Sequence, residues 1–354
     1  MNKSRIAQIR LANQQIVGTK FTEPKELVAW LGAVQAQDYG MAKWAVGLRL
    51  ASATERSIEA AVDSGSIIRT HVLRPTWHFV AKDDIRWILD LTAPRVHQAC
   101  AFGMRFFELD GKTLNRCSNL ITRALEGGNH LTRRELMALI ENKGIRTDTH
   151  RASHIMLHAE LDQLVCSGTR RGKQFTYALF DERVPTTRPL HREDALAKLG
   201  ERYFTSHGPA QVKDFAWWSG LTIADAISSI KMIESGLCSE KVDGDAYWMS
   251  NSLSSPIGSK CVRLLPAFDE FTVSYKDRSA SITPDRLKDV TAGHAIFKPI
   301  VVVDGHVVGV WKRTLNKACI RIEYNFFEEL KSSKLMELQK AANFYCTFEG
   351  KPLM

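Results

Sequence analysis

The sequence predicts a mainly α-helical protein with additional β structure (α+β), made of repeated units and a β-rich C-terminal portion. Two observations lead to this fold class. Helices followed by a turn and a short two-stranded ribbon recur along the first part of the chain. After about residue 256 the sequence changes to short apolar runs that are typical of strands. With 354 residues, the chain is long enough for several such units.

The first predicted unit covers residues 1–85. Residues 67–80 are rich in β-branched and aromatic side chains around a proline-containing bend, which predicts a β-hairpin. Helices closed by a hairpin are typical of a winged helix, a variant of the helix-turn-helix motif. The helices expected before the hairpin are residues 4–16, a helix capped by Thr22 with Pro24 in its first turn that runs to about Val34, and residues 55–64.

The second predicted unit covers residues 86–187 and repeats this pattern. A helix at residues 118–126 ends at two glycines, and Thr132 opens the next helix in a capping-box pattern. A third helix is predicted for residues 149–165. The hairpin at residues 164–179 carries a basic, glycine-rich tip, and we interpret it as a second wing.

The third predicted unit covers residues 188–255 and contains a further helix-turn-helix. A helix that starts at Gly208 runs to Trp218, a turn follows, and Thr222 caps the second helix. In a DNA reader this second helix would carry the base contacts, but its polar face is not basic. We therefore expect this unit to be a scaffold, with Trp217 and Trp218 mainly in its core.

The last predicted unit, residues 256–354, is β-rich and is expected to form a partial barrel. Asp304-Gly305 is a two-residue hairpin signal between two of its strands. A helix near residues 326–343 and a last short strand complete the unit. The predicted strands are Val262–Leu265, Phe271–Val273, Ile300–Val303, Val307–Trp311 and Cys319–Tyr324.

Positive charge is concentrated in the first part of the chain. Residues 1–200 contain 29 Lys and Arg against 21 Asp and Glu, whereas residues 201–354 contain 19 against 18. A basic surface of this kind attracts polyanions such as nucleic acid. The seven cysteines are scattered and include no Cys-x-x-Cys pair, so zinc ribbons and iron–sulfur clusters find no support. No apolar run is long enough to cross a bilayer, and no signal-peptide pattern is present.

The residues with the most specific chemistry are Gln35 and Gln37, at the end of the second predicted helix. A side-chain amide has no useful pKa and cannot serve as a general base, but it can hold a water molecule in place. A held water is sufficient where the leaving group is already cationic, because such a group needs no acid. The alternative is that the two glutamines belong to a solvated helix end.

Six motifs occur in order along the chain: Leu31-Gly32-Ala33-Val34-Gln35-Ala36-Gln37-Asp38, Arg74-Pro75-Thr76-Trp77-His78, Asp214-Phe215-Ala216-Trp217-Trp218-Ser219-Gly220-Leu221, Leu264-Leu265-Pro266-Ala267-Phe268-Asp269-Glu270, Tyr275-Lys276-Asp277-Arg278 and Val303-Asp304-Gly305-His306-Val307-Val308-Gly309-Val310-Trp311. Together they resemble the AlkZ-like winged-helix DNA glycosylases. No single motif is specific, but six in register over almost the whole chain are hard to obtain by chance.

The resemblance implies three tandem winged-helix units bent into a C-shaped cleft, with a barrel-like C-terminal portion. Studied members of this family hydrolyse the N-glycosidic bonds of alkylated purines, including bulky adducts and interstrand crosslinks. Their catalytic pair, a Gln-x-Gln or a Gln-x-Asp, falls here on Gln35 and Gln37. The middle residue is usually larger than Ala36, so the resemblance leaves the shape of the pocket open.

We therefore expect a DNA-repair glycosylase that acts on cationic N7- or N3-alkylated purines in double-stranded DNA. The alkylated base leaves neutral, through a transition state that resembles an oxocarbenium ion and is attacked by water. No lysine beside the motif has the character of a Schiff-base nucleophile, so a monofunctional enzyme without cofactor or metal is expected. An open, basic cleft would hold the duplex mainly through backbone contacts.

Two other classes of function remain open from the residues alone. A winged-helix DNA-binding regulator without enzyme activity fits the tandem wings and the basic first part equally well. Protein–protein modules fit the wings but leave the charge asymmetry unexplained. For the glycosylase we expect a monomer without membrane association, cytoplasmic and associated with the bacterial nucleoid.

Other residues of the motifs and wings are candidates for supporting roles. Asp38 and His78 are candidates for catalytic support, although Asp38 also suits an N-cap or ion pair and His78 a packed histidine. Asp269 and Arg278 are expected to form an ion pair beside the cleft. The residues expected to contact DNA are Arg69 and Arg74 on the first hairpin, and Arg170, Arg171 and Lys173 on the tip of the second, where a solvated turn is the alternative.

The proposed chemistry sets a geometric condition on the two glutamines. Residues two apart on an α-helix point in nearly opposite directions. Gln35 and Gln37 can therefore act on one water only if the helix ends between them or just after them. Gly40 is a natural helix terminator at that point.

Overall fold

The computed structural model describes residues 1–18, 21–252, 261–293 and 296–354. Helices and antiparallel strands alternate along the chain, which confirms the predicted α+β class. Within the described residues, no helix is long and apolar enough to cross a membrane. The predicted boundary between residues 255 and 256 lies outside the described residues.

The first unit has the order of elements that defines a winged helix. Its elements are α1 (Lys3–Asn13), α2 (Pro24–Leu31), β1 (Val34–Gln35), α3 (Tyr39–Gly47), α4 (Glu55–Asp63), β2 (Ile67–Val72) and β3 (Arg74–Ala81). The three strands form an antiparallel sheet in the order β1-β3-β2. The predicted hairpin, here called the first wing, is therefore confirmed as β2 and β3.

The second unit repeats this order. Its elements are α5 (Ile85–Phe106), α6 (Gly111–Leu125), β4 (Leu131–Thr132), α7 (Arg133–Glu141), α8 (Thr149–Leu161), β5 (Val165–Ser167), β6 (Thr176–Leu179) and α9 (Phe180–Arg183). The sheet has the order β4-β6-β5, which matches the first unit strand for strand. The predicted second wing is confirmed as β5 and β6, and α5 is additional to the predicted elements.

The third unit keeps the same order with a reduced sheet. Its elements are α10 (Arg192–Ser206), α11 (Val212–Ser219), α12 (Ile223–Ile233), β7 (Leu237–Val242) and β8 (Asp245–Ser250). An isolated β-bridge between Ala210 and Trp248 takes the place that the short strands β1 and β4 have in the first two units. The hairpin of β7 and β8 completes a third winged helix.

Local hydrogen bonds set most helix starts. Thr132 forms the predicted capping box with Glu135, and Thr222 forms one at the start of α12. The N-cap of α2 is Glu23, so the prediction of Thr22 is wrong, although Pro24 lies in the first turn as predicted. α3 and α10 are additional to the predicted helices. The helix ends also shift: α1 and α8 stop earlier than predicted, α6 begins earlier, and α11 and α15 begin later.

The C-terminal portion is built on one open antiparallel sheet. Its elements are β9 (Val262–Leu265), α13 (Glu270–Val273), α14 (Leu287–Val290), β10 (Thr291–Ala292), β11 (Ile296–Phe297), β12 (Ile300–Val303), β13 (His306–Leu315), β14 (Ile320–Phe326) and α15 (Ser332–Glu349). The sheet has the order β14-β13-β12-β9, and its outer strands do not pair with each other among the described residues.

Two details of this portion test the sequence predictions. The Asp304-Gly305 turn is confirmed, because both residues have positive φ as a two-residue hairpin turn requires. The predicted strand at Phe271–Val273 is wrong. These residues form the helical turn α13 because the Asp269 side chain accepts a hydrogen bond from the Phe271 N–H and caps it.

Packing joins units that are far apart in sequence. Leu27 and Trp44 of the first unit share one hydrophobic core with Leu264, Val301 and Tyr345 of the C-terminal portion. Each large apolar side chain buried in this way contributes about 1.5–3 kcal/mol. The C-terminal portion therefore packs directly on the first unit.

A second core joins the third unit to the first wing. Leu73, at the turn of the first wing, lies in one cluster with Phe215 and Trp218 of α11, which confirms Trp218 as a core residue. The turn after α11 also touches this wing, because a Cβ on Gly220 would lie 2.1 Å from the Leu73 carbonyl oxygen. The first wing is thus held by the third unit.

The close approach at Gly220 predicts a specific loss of stability. Gly220 has φ of +71°, and Gly127 has φ of +79° with nothing near its missing Cβ. We expect Gly127→Ala to lower the free energy of unfolding by about 1 kcal/mol through backbone strain alone. Gly220→Ala adds a clash with the backbone of the first wing and should lower the free energy of unfolding by more than about 2 kcal/mol. Urea denaturation compares the two variants, and equal losses would contradict the contact.

Candidate active site

The Gln-Ala-Gln segment leaves the helix before its first glutamine. α2 ends at Leu31 because Gly32 has φ of +79°, a conformation that stops a helix. The chain then forms β1 and pairs with β3. The prediction of a helix that continues to Val34 is therefore wrong. The predicted terminator, Gly40, instead lies in the first turn of α3.

An extended backbone meets the geometric condition in a different way. Side chains two apart on an extended segment point to the same side. β1 carries Gln35, and the Ala36 N–H donates to the Trp77 carbonyl at 2.6 Å, which continues the pairing with β3. β1 ends at Gln35 and the chain bends at Gln37, so helix geometry no longer separates the two side chains, and their shared side stays a prediction.

The two glutamines differ in how firmly they are held. Gln35 is 7% exposed, and its Oε1 accepts a hydrogen bond from Arg74 Nη2 at 3.2 Å. Its backbone N–H donates to Glu270 Oε1 at 2.6 Å. Gln37 is exposed, and its Oε1 accepts from the Trp77 N–H at 3.4 Å. Gln35 is thus fixed in place, and Gln37 rests against the first wing.

Gln35 lines a cavity of about 560 Å³, here called the Gln35 cavity. Among the described residues that line it there is no Asp, Glu or His. Trp217 forms part of its wall and donates from Nε1 to the Val273 carbonyl at 2.9 Å. The prediction that Trp217 lies in a core is wrong, since it is 38% exposed. Lys276 and the guanidinium groups of Arg74 and Arg278 surround its ring at 4.7–5.8 Å.

The side chains of Arg69 and Arg74 donate hydrogen bonds to the segment that carries the two glutamines. Arg69 is 8% exposed and donates from Nε and Nη2 to the Ala36 carbonyl at 3.2 and 3.1 Å. Arg74 donates to Gln35 and, at 3.4 Å, to the Val273 carbonyl. These contacts favour a positioning role for both arginines over the phosphate contacts predicted for them.

Asp38 and His78 are both engaged in structural contacts. Asp38 Oδ1 accepts from the Met41 N–H at 3.0 Å and caps α3, the alternative that the sequence left open. His78 is fully buried and donates from Nδ1 to the Thr76 carbonyl at 2.9 Å. Burial and then the charge of Arg74 lower the pKa of His78 to about 3. The imidazole is therefore neutral near neutral pH and is not an imidazolium acid for a leaving base.

The three basic residues of the second wing differ in their ion-pair partners and in their exposure to solvent. Arg170 contacts Glu59, and its backbone N–H donates to Asp63 Oδ1 at 2.9 Å, which ties the wing to α4. The Arg171 side chain is 54% exposed but donates to Glu135 Oε1 at 2.7 Å. Lys173 is exposed. Of the three predicted DNA contacts, the structure leaves Arg171 and Lys173 most accessible.

Glu270 is a buried residue of the site that the sequence did not single out. It is fully buried and accepts hydrogen bonds from the Gln35 N–H, from Trp218 Nε1 at 3.2 Å and from the Ser274 hydroxyl. His207 Nε2 lies 3.6 Å from its Oε2. Burial acts to raise the pKa of Glu270, but His207 and Ser274 outweigh it and hold the pKa below its usual range. Glu270 therefore stays ionised.

The adjacent carboxylate, Asp269, has a different environment. Its two oxygens accept from the Arg49 guanidinium at 2.7 and 2.8 Å in a fully buried pair. The predicted ion pair of Asp269 with Arg278 is wrong, because Arg278 donates to the Thr272 carbonyl instead. Two adjacent acids after an apolar run are the sequence signal for both carboxylates. Only the fold shows that one of them is paired with an arginine.

One group of potential metal ligands lies elsewhere in the second unit. Within the described part of the chain, ligand atoms of His97, His158 and Asp162 lie within 4.8 Å of one another. His97 Nε2 is 2.8 Å from Asp162 Oδ1, so these groups already satisfy each other. None of the three lines the Gln35 cavity.

Comparison with known proteins identifies the class. Tandem winged helices with a cationic cavity are typical of DNA-binding proteins. A family model described as "DNA glycosylase AlkZ-like" matches residues 28–348. A relative from Streptomyces sahachiroi, "Interstrand DNA cross-link repair glycosylase", is 23% identical over 314 residues, which cover 83% of this chain and 84% of the relative. The chain therefore belongs to the AlkZ-like DNA glycosylases.

A solved structure supports the same fold. The structure of Streptomyces sahachiroi DNA glycosylase AlkZ matches with a TM-score of 0.80 at 20% sequence identity, over 98% of each chain. Family membership makes this protein a DNA glycosylase and decides against the regulator without enzyme activity. Family membership alone does not identify the substrate or the roles of the individual residues, which must be inferred from the geometry of the site.

The neutral state of His78 predicts a pH-dependent stability. The unfolded histidine titrates near 6.5, whereas the pKa of buried His78 is about 3. The contribution of neutral His78 to the free energy of unfolding is fully present above pH 6.5. It is lost as the pH falls towards 3, because in this range the unfolded protein binds a proton that the folded protein does not. The loss approaches about 1.4 kcal/mol per pH unit.

Urea denaturation at pH 7 and pH 5 tests this prediction with His78→Gln. The variant should lose less stability than the wild-type protein between the two pH values. His207, whose pKa is also lowered by burial, remains in both proteins and cancels from the comparison. Parallel pH dependence in the two proteins would contradict a neutral, buried His78.

Proposed function

We propose that the protein hydrolyses the N-glycosidic bond of cationic N7- or N3-alkylated purines in duplex DNA, with a water held by Gln35 and Gln37. The observation that carries the proposal is the Gln35 cavity, where no carboxylic acid or imidazole is found among the described lining residues. An unmodified purine must be protonated in order to leave. An alkylated purine already carries the positive charge and leaves neutral, so it suits a cavity whose described lining residues include no carboxylic acid or imidazole.

The fixed amide of Gln35 supports the placement of a water. Arg74 occupies one acceptor direction of Oε1, which leaves the other lone pair and the NH₂ group to contact water. Because the backbone of Gln35 is held as well, the amide needs no reorganisation when the water attacks. We propose that the exposed amide of Gln37, which is not among the described residues that line the Gln35 cavity, contacts the same water.

Glu270 supports the same chemistry through its charge. Among the described residues only His207 lies within 4 Å of its carboxylate as a potential cation, and burial lowers the pKa of that histidine, whereas Asp269 is paired with Arg49. An ionised carboxylate in a low-dielectric surrounding stabilises nearby positive charge more strongly than it would in water. The positive charge of an oxocarbenium-like transition state forms at the sugar, so a carboxylate in contact with Gln35 favours that state over the neutral sugar.

Cationic side chains at the Gln35 cavity are placed to contact the phosphates of the DNA backbone. Lys276 is exposed, and with Arg74 and Arg278 it surrounds Trp217 on the cavity wall. Phosphates on either side of a lesion carry negative charge that Lys276 and Arg278 match, whereas Arg74 holds Gln35. We therefore propose binding through the backbone, with an affinity that falls steeply as salt is added.

The name of the related glycosylase states that it repairs interstrand DNA crosslinks. We propose bulky N7 adducts and crosslinks as further substrates of this protein. A crosslinked base is tied to the opposite strand and cannot swing fully into an enclosed pocket. We further propose a monofunctional enzyme that acts as a cytoplasmic monomer. Lys276 is the amine that shares the cavity with Gln35, so it is the residue to examine for a lyase step.

The assignment of the glutamines predicts the behaviour of two variants. Gln35→Ala and Gln37→Ala should each lower the single-turnover release of N7-methylguanine from duplex DNA by roughly 100-fold, since each removes one contact to the water. Gln339→Ala, at an exposed position of α15, is the matched control and should keep the wild-type rate. Chromatography of the free base gives the rate.

Three outcomes would contradict this proposal. Failure of the wild-type protein to release N7-methylguanine or a bulkier N7 adduct would exclude the substrate class. Wild-type rates in both glutamine variants would place the chemistry elsewhere. A borohydride-trapped adduct on Lys276 would replace hydrolysis by a lyase mechanism.

The charge of Glu270 predicts a change in rate without a change in fold. Glu270→Gln keeps the shape and the acceptor for the Gln35 N–H but removes the charge. We expect the release rate to fall roughly 10-fold or more with DNA affinity close to wild type. Thermal stability should fall as well, because the new Nε2 faces Trp218 Nε1, whose hydrogen bond Oε2 accepted. Asp269→Asn is the contrasting variant, because it leaves Arg49 uncompensated and should lower the free energy of unfolding by about 3–5 kcal/mol. An unchanged rate in Glu270→Gln would show that Glu270 acts only through packing.

A further inference from the structure

A second cavity, of about 450 Å³, lies between the first and second wings. We call it the interwing cavity. It reaches the glutamine segment through two of its lining residues, because Arg69 donates to the Ala36 carbonyl and the Trp77 N–H donates to Gln37. The lining residues that matter here are Arg69, Trp77, Arg133, Arg134, Lys173 and Phe175.

The charge of the interwing cavity points to an anionic ligand. Four cationic side chains line it, and no carboxylate does so among its described lining residues. Three of the four, Arg133, Arg134 and Lys173, are exposed. Cations gathered without acidic partners are typical of sites that hold phosphate groups.

A stack of planar groups ends at the same cavity. The rings of His71 and Trp77 are 4.0 Å apart, and the Arg69 guanidinium lies 4.1 Å from the Trp77 ring. The same guanidinium lies 4.7 Å from the Phe175 ring. Tyr39 meets the Phe175 ring edge-on with ring centroids 4.9 Å apart, and the Arg170 guanidinium lies 5.2 Å from it, but Phe175 remains 39% exposed and offers part of its ring to the cavity. Exposed aromatic rings beside cations are the usual platform for an unstacked nucleobase.

We propose that the interwing cavity binds one nucleotide of the DNA substrate whose base has left the duplex stack. The base lies against Phe175, and its phosphate lies against Arg133, Arg134 and Lys173. The inference rests on the proposed function, because it takes damaged duplex DNA as the substrate. A cavity of this volume falls in the range of small-ligand sites and suits a single nucleotide. Recognition by stacking and charge is tolerant of base identity.

The same contacts couple the interwing cavity to the reaction. The Arg69 guanidinium lies within 4.7 Å of the centres of the Trp77 and Phe175 rings and also donates to the carbonyl of Ala36. A base stacked on Phe175 extends this column of planar groups and restrains Arg69. Restraint of Arg69 in turn restrains the backbone between the two glutamines. A bound nucleotide would thereby steady Gln35 and Gln37.

The test uses a duplex that cannot react, with a tetrahydrofuran abasic site and one 2-aminopurine moved along either strand. The full-length protein should change the 2-aminopurine fluorescence at least about twofold at one position, because its stacking changes. The strand that carries this position identifies whether the bound nucleotide comes from the lesion strand or from the opposite one. Phe175→Leu, which keeps an apolar side chain without a ring, should abolish the change.

A second measurement tests the phosphate contacts. Arg133→Ala combined with Arg134→Ala should weaken binding of this duplex about 10-fold and lower the slope of log Kd against log salt by about 2. The control combines Arg321→Ala and Lys340→Ala, which remove the same charge from exposed positions on β14 and α15. The control should keep the wild-type slope. Circular dichroism and thermal denaturation confirm that all variants remain folded.

Either of two results would overturn the inference. One is a fluorescence change at no position, or a change that persists in Phe175→Leu. The other is a salt slope in the Arg133 and Arg134 variant equal to that of the control. Binding of the unreactive duplex is independent of base release, so failure of the proposed function would appear in the N7-methylguanine assay and not here.

Discussion

The site depends on one buried carboxylate that receives hydrogen bonds from three parts of the chain. Glu270 accepts from the backbone of Gln35 in the first unit, from the indole of Trp218 in the third unit and from Ser274 in the C-terminal portion. A buried charge is tolerated only when its hydrogen bonds are complete. The three parts must therefore pack correctly before Glu270 can be buried and ionised, and the same packing places Gln35 on the wall of its cavity.

The basic residues divide into two groups according to their burial. Arg69 and Arg74 are turned inwards, where they hold the carbonyl of Ala36 and the amide of Gln35. Lys173 and Lys276 remain exposed beside the two cavities. Buried guanidinium groups can fix a neighbouring amide because their donors are planar and rigid. Exposed cations keep their hydration until a phosphate replaces it. The positive charge of this protein therefore serves both the architecture of the site and the attraction of DNA.

Much of the repeat was predictable because its signals are local. Thr132 and Thr222 cap their helices through side chains only three residues away, and each predicted hairpin is contiguous in sequence. One error occurred where a distant partner overrides local preference, and another where a neighbouring cap does. Val34 continues an apolar helical pattern, yet it pairs as a strand with Phe79 on the first wing. The run Phe271–Val273 has the composition of a strand but turns into a helix under the cap of Asp269.

Local sequence patterns were sufficient for the α+β class, the winged-helix repeat, the family resemblance and the choice of Gln35 and Gln37 as candidates. They could not reveal that Glu270 is ionised and contacts Gln35 while Asp269 is paired with Arg49. The two contacts join residues 235 and 220 positions apart, and no spacing rule reaches so far. The charge state of a side chain depends on its burial and on the groups around it, and both exist only once the units have packed together.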